Sequence, residues 1–118
     1  MDFFSKLFRQ PVINQLEPAQ VRALFSQSPR PFLLDVRTSQ EYKEGHIQGA
    51  ELIPLDDLPH KLNRIPKDRE VICICHSGNR SIVAAHRLSS QGYKVSNMKG
   101  GMAKWIRVGL PTKAGMSK

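Results

Sequence analysis

The chain has 118 residues, of which 40% are hydrophobic and 24% charged, values that are ordinary for a globular domain. It contains no apolar run near the roughly 18 residues that a membrane-spanning helix requires, and its first residues lack the pattern of a secretory signal. We therefore expect a one-domain cytoplasmic protein whose two cysteines are reduced.

The net charge of +8 is unevenly distributed along the chain. Residues 1–70 hold ten basic and ten acidic side chains, whereas residues 71–118 hold eight basic side chains and no acidic one. One interpretation is a field that attracts small anions to the second half; the other is a basic surface without a specific role. Nucleic-acid binding is not expected, because the basic residues are not densely clustered and no aromatic residues alternate with them.

In chain order, the first predicted element is an amphipathic segment over residues 1–11, which Pro11 ends. Its phenylalanine and leucine side chains fall on one helical face. This face either docks on the domain or contacts a partner or a membrane surface.

The rest of the chain alternates between strand and helix patterns. Apolar runs bounded by turn residues predict strands at 12–13, 32–36, 50–53, 70–74 and 93–97. Helical spacing predicts helices at 18–26, 40–44, 56–65, 80–91 and 102–108. This alternation favours the α/β class, with a mostly parallel sheet of about five strands covered on both faces and a domain over residues 12–110. Residues 111–118 are expected to form a flexible tail.

The most informative stretch is Cys-His-Ser-Gly-Asn-Arg at residues 75–80, between the strand 70–74 and the next helix. In a parallel sheet this position lies at the carboxyl end of a strand, where ligands bind. Backbone N–H groups converge there and the helix N-terminus is positive, so the thiolate of Cys75 is favoured over the thiol. Cys75 is therefore the candidate nucleophile, and Gly78 supplies the backbone freedom that a tight ring of N–H groups requires.

The remaining residues of this loop have less specific roles. Arg80 closes the loop, and two functions stay open for it: binding the oxygens of an anionic donor, or bracing the loop through backbone carbonyls or an acidic partner. His76, Ser77 and Asn79 are expected at the rim, where they contribute to selecting the donor.

Three further residues attract attention but are expected to be structural. Cys73 is interpreted as a buried apolar cysteine, His46 as a histidine with satisfied hydrogen bonds, and Trp105 as a core anchor of the last helix. Cys73, Cys75 and His76 are close in sequence, but further ligands at regular spacing are absent, so no metal site is expected.

Five ordered stretches of this chain resemble the rhodanese family in its single-domain form. They are LLDVR at 33–37, EY and GHIQGA within 41–50, IPL at 53–55, CHSGNR at 75–80 and GGMAKW at 100–105. The resemblance implies a three-layer α/β/α fold, no cofactor, and a Cys75 that accepts a sulfane sulfur as a persulfide. It further implies that Asp35 and Arg37 form ion pairs that support the surroundings of the loop.

The activity that this resemblance implies is thiosulfate:cyanide sulfurtransferase or a close relative of it. The donor would be a small anion such as thiosulfate, and the acceptor cyanide, a thiol or a protein. Residues 76–80, His76, Ser77, Gly78, Asn79 and Arg80, would bind the substrate and the persulfide.

Two other functions are weighed against sulfur transfer. Cysteine phosphatases and arsenate reductases of similar architecture use C-x5-R, because phosphate is larger than a sulfur atom; here Cys75 and Arg80 are spaced C-x4-R, which favours sulfur. A non-catalytic rhodanese-like module would usually lack the cysteine, and its presence disfavours that alternative, although a sulfur relay to a protein partner stays open.

Overall fold

Five parallel strands form the central sheet of the protein, and counted along the chain they lie side by side in the order first, fifth, fourth, second and third. A computed structural model describes residues 12–118, and the predicted amphipathic segment 1–11 lies outside the described residues. The strands are β1 (Asn14–Leu16), β2 (Phe32–Asp35), β3 (Glu51–Leu52), β4 (Val71–Ile74) and β5 (Val95–Met98). The α/β class with a parallel five-stranded sheet is confirmed.

The helices are α1 (Pro18–Ala23), α2 (Ser39–Glu44), α3 (Asn79–Ser90) and α4 (Gly101–Arg107). Short 3₁₀ helices span Leu24–Ser26, Leu55–His60 and Leu62–Arg64. The last two replace the predicted helix 56–65, because Pro59 lies inside the first of them and lacks the N–H that an α-helix needs. Among the described residues, no helix combines the length and apolar character needed to cross a membrane.

All five strand predictions differ from the structure by one to three residues at a boundary, and the differences are largest at β1 and β5. The strand predicted at 12–13 spans Asn14–Leu16, and Val12 is 97% exposed. Because β1 is an edge strand with exposed side chains, its pairing with β5 fixes it through backbone hydrogen bonds that an apolar pattern does not reveal. The strand predicted from residue 93 begins at Val95, because the Tyr93 N–H closes the turn after α3 by donating to the Leu88 carbonyl.

The sheet separates two hydrophobic layers, which completes the predicted three-layer arrangement. One layer packs α3 and the 3₁₀ helix Leu55–His60 against one face, and Cys73 and Cys75 belong to it. The other packs α1 and α4 against the opposite face around Trp105, which is fully buried as expected. Strand β4 lies at the centre of the sheet, with all four residues buried.

Residues 111–118, which the sequence predicts to form a flexible tail, make several hydrogen bonds to the domain. Lys113 exchanges two backbone hydrogen bonds with His46, at 3.0 and 2.8 Å. The Gly115 N–H donates to the Lys43 carbonyl, and the Trp105 indole N–H donates to the Pro111 carbonyl at 2.9 Å. Backbone carbonyl groups accept these hydrogen bonds. Because every residue has such a group, the pattern of side chains in the sequence does not predict these contacts.

Candidate active site

Cys75 follows β4 directly and lies at the carboxyl end of the central strand, as its position in the sequence predicts. Its side chain is buried. The Gly78 N–H donates to Sγ at 2.9 Å, and the Ser81 hydroxyl donates to Sγ at 3.2 Å. Two donors aimed at one sulfur stabilise a negative charge on it, which is what a nucleophilic thiolate or a persulfide requires.

Gly78 sets the course of the loop. Its φ of +99° lies in the left-handed region, where a side chain would be strained, and it is the N-cap of α3. A Cβ at this position would also lie 3.4 Å from the backbone nitrogen of Gly100. The glycine therefore allows one residue to turn the chain, start a helix and direct its N–H to the sulfur.

The N-terminus of α4 holds the other side of the loop backbone. The Met102 N–H donates to the Cys75 carbonyl at 2.8 Å, and the Ala103 N–H donates to the His76 carbonyl at 2.9 Å. This approach depends on Gly101: a Cβ there would lie 2.5 Å from the His76 oxygen and closer still to that of Cys75. Helix α4 thus fixes the conformation of the segment that carries Cys75.

Arg80 forms a bidentate ion pair with Glu41. Nη1 to Oε1 and Nη2 to Oε2 both measure 2.7 Å. The guanidinium lowers the pKa of Glu41 to about 2, and the carboxylate raises the pKa of Arg80 above its usual value. Two functions are open for Arg80, donor binding and bracing of the loop. The structure shows a contact of the second kind, an ion pair with an acidic side chain.

Glu41 has a second role that joins α2 to the loop. Its Oε1 accepts from the backbone N–H of Thr38 at 3.0 Å, while the Thr38 hydroxyl accepts from the Glu41 N–H, so the two residues form a capping box. One carboxylate therefore caps α2 and binds Arg80. The T-x-x-E spacing of Thr38 and Glu41 predicts the capping box from the sequence. The ion pair between Glu41 and Arg80 joins residues 39 positions apart and has no local sequence signal.

This pair makes a prediction for acid stability. Because the pKa of Glu41 in the folded protein, about 2, lies below the ordinary value of 4.5, the pair stabilises the fold above pH 4.5 and loses this effect as the pH falls to about 2. Glu41→Gln keeps a residue that completes a capping box, so it removes mainly the charge pair. We expect a lower Tm at pH 6 and a difference from the wild type that shrinks toward pH 2.5.

The matched control is Glu44→Gln, since Glu44 is an exposed carboxylate on the same helix. It should change the Tm little at either pH. A Glu41→Gln deficit of the same size at both pH values would show that the lost stability does not come from the charge of Glu41.

Asp35 and Arg37 are both buried and pair with each other. Nη2 of Arg37 lies 2.8 Å from Asp35 Oδ2 and also donates to the Gly45 carbonyl at 2.8 Å. The pair lies at the carboxyl end of β2, next to β4 in the sheet, and ties this end to the turn after α2. It thus lies near the loop, but within residues 12–118 neither side chain forms a hydrogen bond with the Cys75 sulfur.

The remaining candidates fall into two groups. His76, Ser77 and Asn79 have exposed side chains and line the rim, where an incoming molecule meets them first. His46 and Cys73 are fully buried. The ring nitrogens of His46 lie 2.9 and 2.8 Å from two backbone carbonyl oxygens, and burial raises the pKa of the Cys73 thiol well above its usual range, so neither is placed as a reacting group.

Ser81 is a site residue that the sequence reasoning missed. A signal was present: Ser81 is a polar residue on the buried face of α3, which it shares with Ala84, Ala85 and Leu88. A buried hydroxyl in an apolar layer needs a partner, and here the partner is the sulfur.

Comparisons with known proteins agree with this geometry. The family described as Rhodanese-like domain matches residues 17–107. A sulfurtransferase of Allochromatium vinosum is 36% identical over 85% of this chain and 94% of its own length. The thiosulfate sulfurtransferase GlpE of Tolumonas auensis is 34% identical over 75% of this chain and 85% of its own.

Solved structures lead to the same fold. The rhodanese-related protein of Thermoplasma volcanium superposes with a TM-score of 0.77 at 30% identity, covering 85% of this chain and 97% of the other. Relatives named sulfurtransferases support sulfur transfer in general. With the family model matching residues 17–107 and a cysteine loop at the end of a central parallel strand, the chain belongs to the rhodanese-like domain family.

Proposed function

We propose that the protein moves a sulfane sulfur from a small anionic donor such as thiosulfate to cyanide, a thiol or a protein acceptor, through a persulfide on Cys75. The observation that carries the proposal is the Cys75 sulfur at the end of β4, held by the Gly78 N–H and the Ser81 hydroxyl. Both cysteines are free thiols, which fits a reducing compartment, and we place the protein in the cytoplasm.

The proposed reaction has two steps. The Cys75 thiolate attacks the outer sulfur of thiosulfate, the donor S–S bond breaks, and its electron pair leaves with sulfite. The acceptor nucleophile then attacks the terminal sulfur of the persulfide, and the bond to Cys75 breaks to return the thiolate. No metal, cofactor or redox partner enters this balance.

Intact mass spectrometry after treatment with thiosulfate tests the reaction class. We expect the mass of one sulfur atom to be added to the wild-type protein and removed again by cyanide or a thiol reductant. An unchanged mass in folded, reduced protein would refute transfer from thiosulfate through a persulfide. Turnover of aryl phosphates is not expected, because the C-x4-R loop is one residue shorter than a phosphate loop.

Ser81 is expected to assist both steps through its hydrogen bond to Sγ. Loss of one neutral hydrogen bond, about 0.5–1.5 kcal/mol, corresponds to a fall in rate of roughly threefold to tenfold. We expect this fall in Ser81→Ala, measured as the single-turnover rate of persulfide formation. Ser90→Ala is the control, because Ser90 lies on the exposed end of the same helix and donates only to the Arg87 carbonyl. Equal rates in both variants would remove Ser81 from the mechanism.

For Arg80 the ion pair with Glu41 supports a bracing role, because an anionic donor has to compete with a carboxylate that already holds the guanidinium. Arg80→Ala is then expected to slow persulfide formation and discharge by similar factors, about tenfold, and to lower the Tm. Arg80→Lys should recover only part of the lost rate and Tm, since the lysine ammonium lacks the forked N–H donors of a guanidinium. Slowing confined to the donor step, with an unchanged Tm, would instead assign Arg80 to donor binding.

A further inference from the structure

A hollow of about 290 Å³ lies on the face of the sheet opposite the Cys75 side chain. Separate parts of the chain form it: α1 with the 3₁₀ helix that follows, the segment before β2, the turn before β3, and the C-terminal segment. Its lining residues are Arg22, Phe25, Arg30, Gln48, Pro111, Thr112 and Lys113. Three of these side chains are cationic and none is a carboxylate, and none of them takes part in the proposed sulfur transfer.

The aromatic ring of Phe25 orders the two arginines. The Cζ atom of Arg30 lies 3.9 Å from the ring centroid, and that of Arg22 lies 5.2 Å from it. Arg30 is further fixed by a 2.7 Å hydrogen bond from Nη2 to the Gln48 carbonyl. A guanidinium has five N–H donors in a planar fork, so Arg30 keeps most of its donors for a ligand while its orientation is set.

The charge of this hollow is not balanced by the residues around it. Within residues 12–118, neither Arg22 nor Arg30 forms an ion pair. Burial and the nearby Arg22 both lower the pKa of Arg30. Lys113 adds a third positive charge, although its ammonium group also donates to the Lys118 carbonyl at 2.9 Å. Like charges gathered in one place repel each other, and a bound anion relieves this repulsion.

We infer that this hollow binds a small phosphate-class dianion, either free phosphate or a small phosphomonoester. Arginine forks match the oxygen geometry of phosphate and donate charge-assisted hydrogen bonds to it. Cavities for larger organic ligands measure about 300–1,000 Å³, and this one lies at the lower limit, which favours a small ligand. The inference does not depend on the proposed sulfur transfer, because it involves other residues on the other face of the sheet.

Residue-resolved NMR of the ¹⁵N-labelled full chain tests this site. Inorganic phosphate and methyl phosphate are titrated separately, with sodium chloride at matched ionic strength as the reference. We expect saturable shifts at residues 22–30, 48–49 and 111–113. Saturation by phosphate alone assigns free phosphate, and saturation by both assigns the phosphomonoester class; shifts that rise without saturation, or that appear only at residues 75–80, overturn the site.

Substitutions distinguish phosphate binding at this site from nonspecific attraction of phosphate to a basic protein. Arg22→Gln should weaken phosphate binding about tenfold, the effect of one charge-assisted contact. Arg87→Gln is the control, because Arg87 lies on α3 beyond the opposite face of the sheet. If Arg30→Gln is too unstable to measure, Arg22→Gln alone tests the site. The side chain of Arg22 is exposed, so its replacement should not unfold the protein. Equal weakening in Arg22→Gln and Arg87→Gln would mean an adventitious ion only.

Discussion

Replacing Cys75 with serine is expected to abolish sulfur transfer, whereas replacing Cys73 with serine should leave most of it. Serine is a weak nucleophile without an activating base, and losing an essential nucleophile lowers turnover by a factor on the order of 10³ or more. The sulfur of Cys75 has two hydrogen-bond donors. Burial, and to a smaller extent the neighbouring Cys75, raise the pKa of the Cys73 thiol, so it stays protonated and unreactive.

Steady-state transfer from thiosulfate to cyanide, combined with intact mass after thiosulfate alone, measures this difference. A buried hydroxyl at position 73 can destabilise the core, so Cys73→Ala is measured beside Cys73→Ser and both are compared at temperatures below their Tm. If a well-folded Cys73 variant loses as much activity as Cys75→Ser, a mechanism with two thiols replaces the single nucleophile.

Gly101→Ala is expected to disrupt the active-site loop and the stability of the fold together. Its methyl group would lie about 2.5 Å or less from the carbonyl oxygens of Cys75 and His76, which are backbone atoms. The left-handed backbone of residue 101, with φ of +60°, costs an alanine about 1–2 kcal/mol. Overlap with the loop adds about 1–3 kcal/mol and moves the segment that carries Cys75.

Gly109→Ala isolates the effect of the overlap. Gly109 has a φ of +85° but nothing lies within 4 Å of the position of its Cβ, so alanine there meets the backbone penalty without the contact. We expect Gly109→Ala to lower the Tm modestly and to keep its turnover per folded molecule. Gly101→Ala should lower both further, and matching Tm and kcat/KM values in the two variants would show that the close approach to the loop has no catalytic consequence.

How much the sequence predicts depends on the range of the interaction. The strand before Cys75 and the helix after it follow from the apolar run of β4 and from Gly78, which are local signals. The ion pair between Glu41 and Arg80 joins residues 39 positions apart, and only the folded sheet brings them together. For a related reason the apolar pattern predicts strand β1 two residues too early, because an edge strand with exposed polar side chains has no apolar pattern of its own.

The contacts of α4 with the loop set an order on the assembly of this protein during synthesis. The carbonyls of Cys75 and His76 are held by N–H groups of residues 102 and 103, and the edge strand β1 near the N-terminus pairs with β5, which ends at Met98. The ribosome therefore synthesises Cys75 before the helix whose N–H groups hold the loop around it. Because such long-range contacts form only when both partners are present, we expect the backbone of this loop to reach its final conformation only after β5 and α4 have been synthesised.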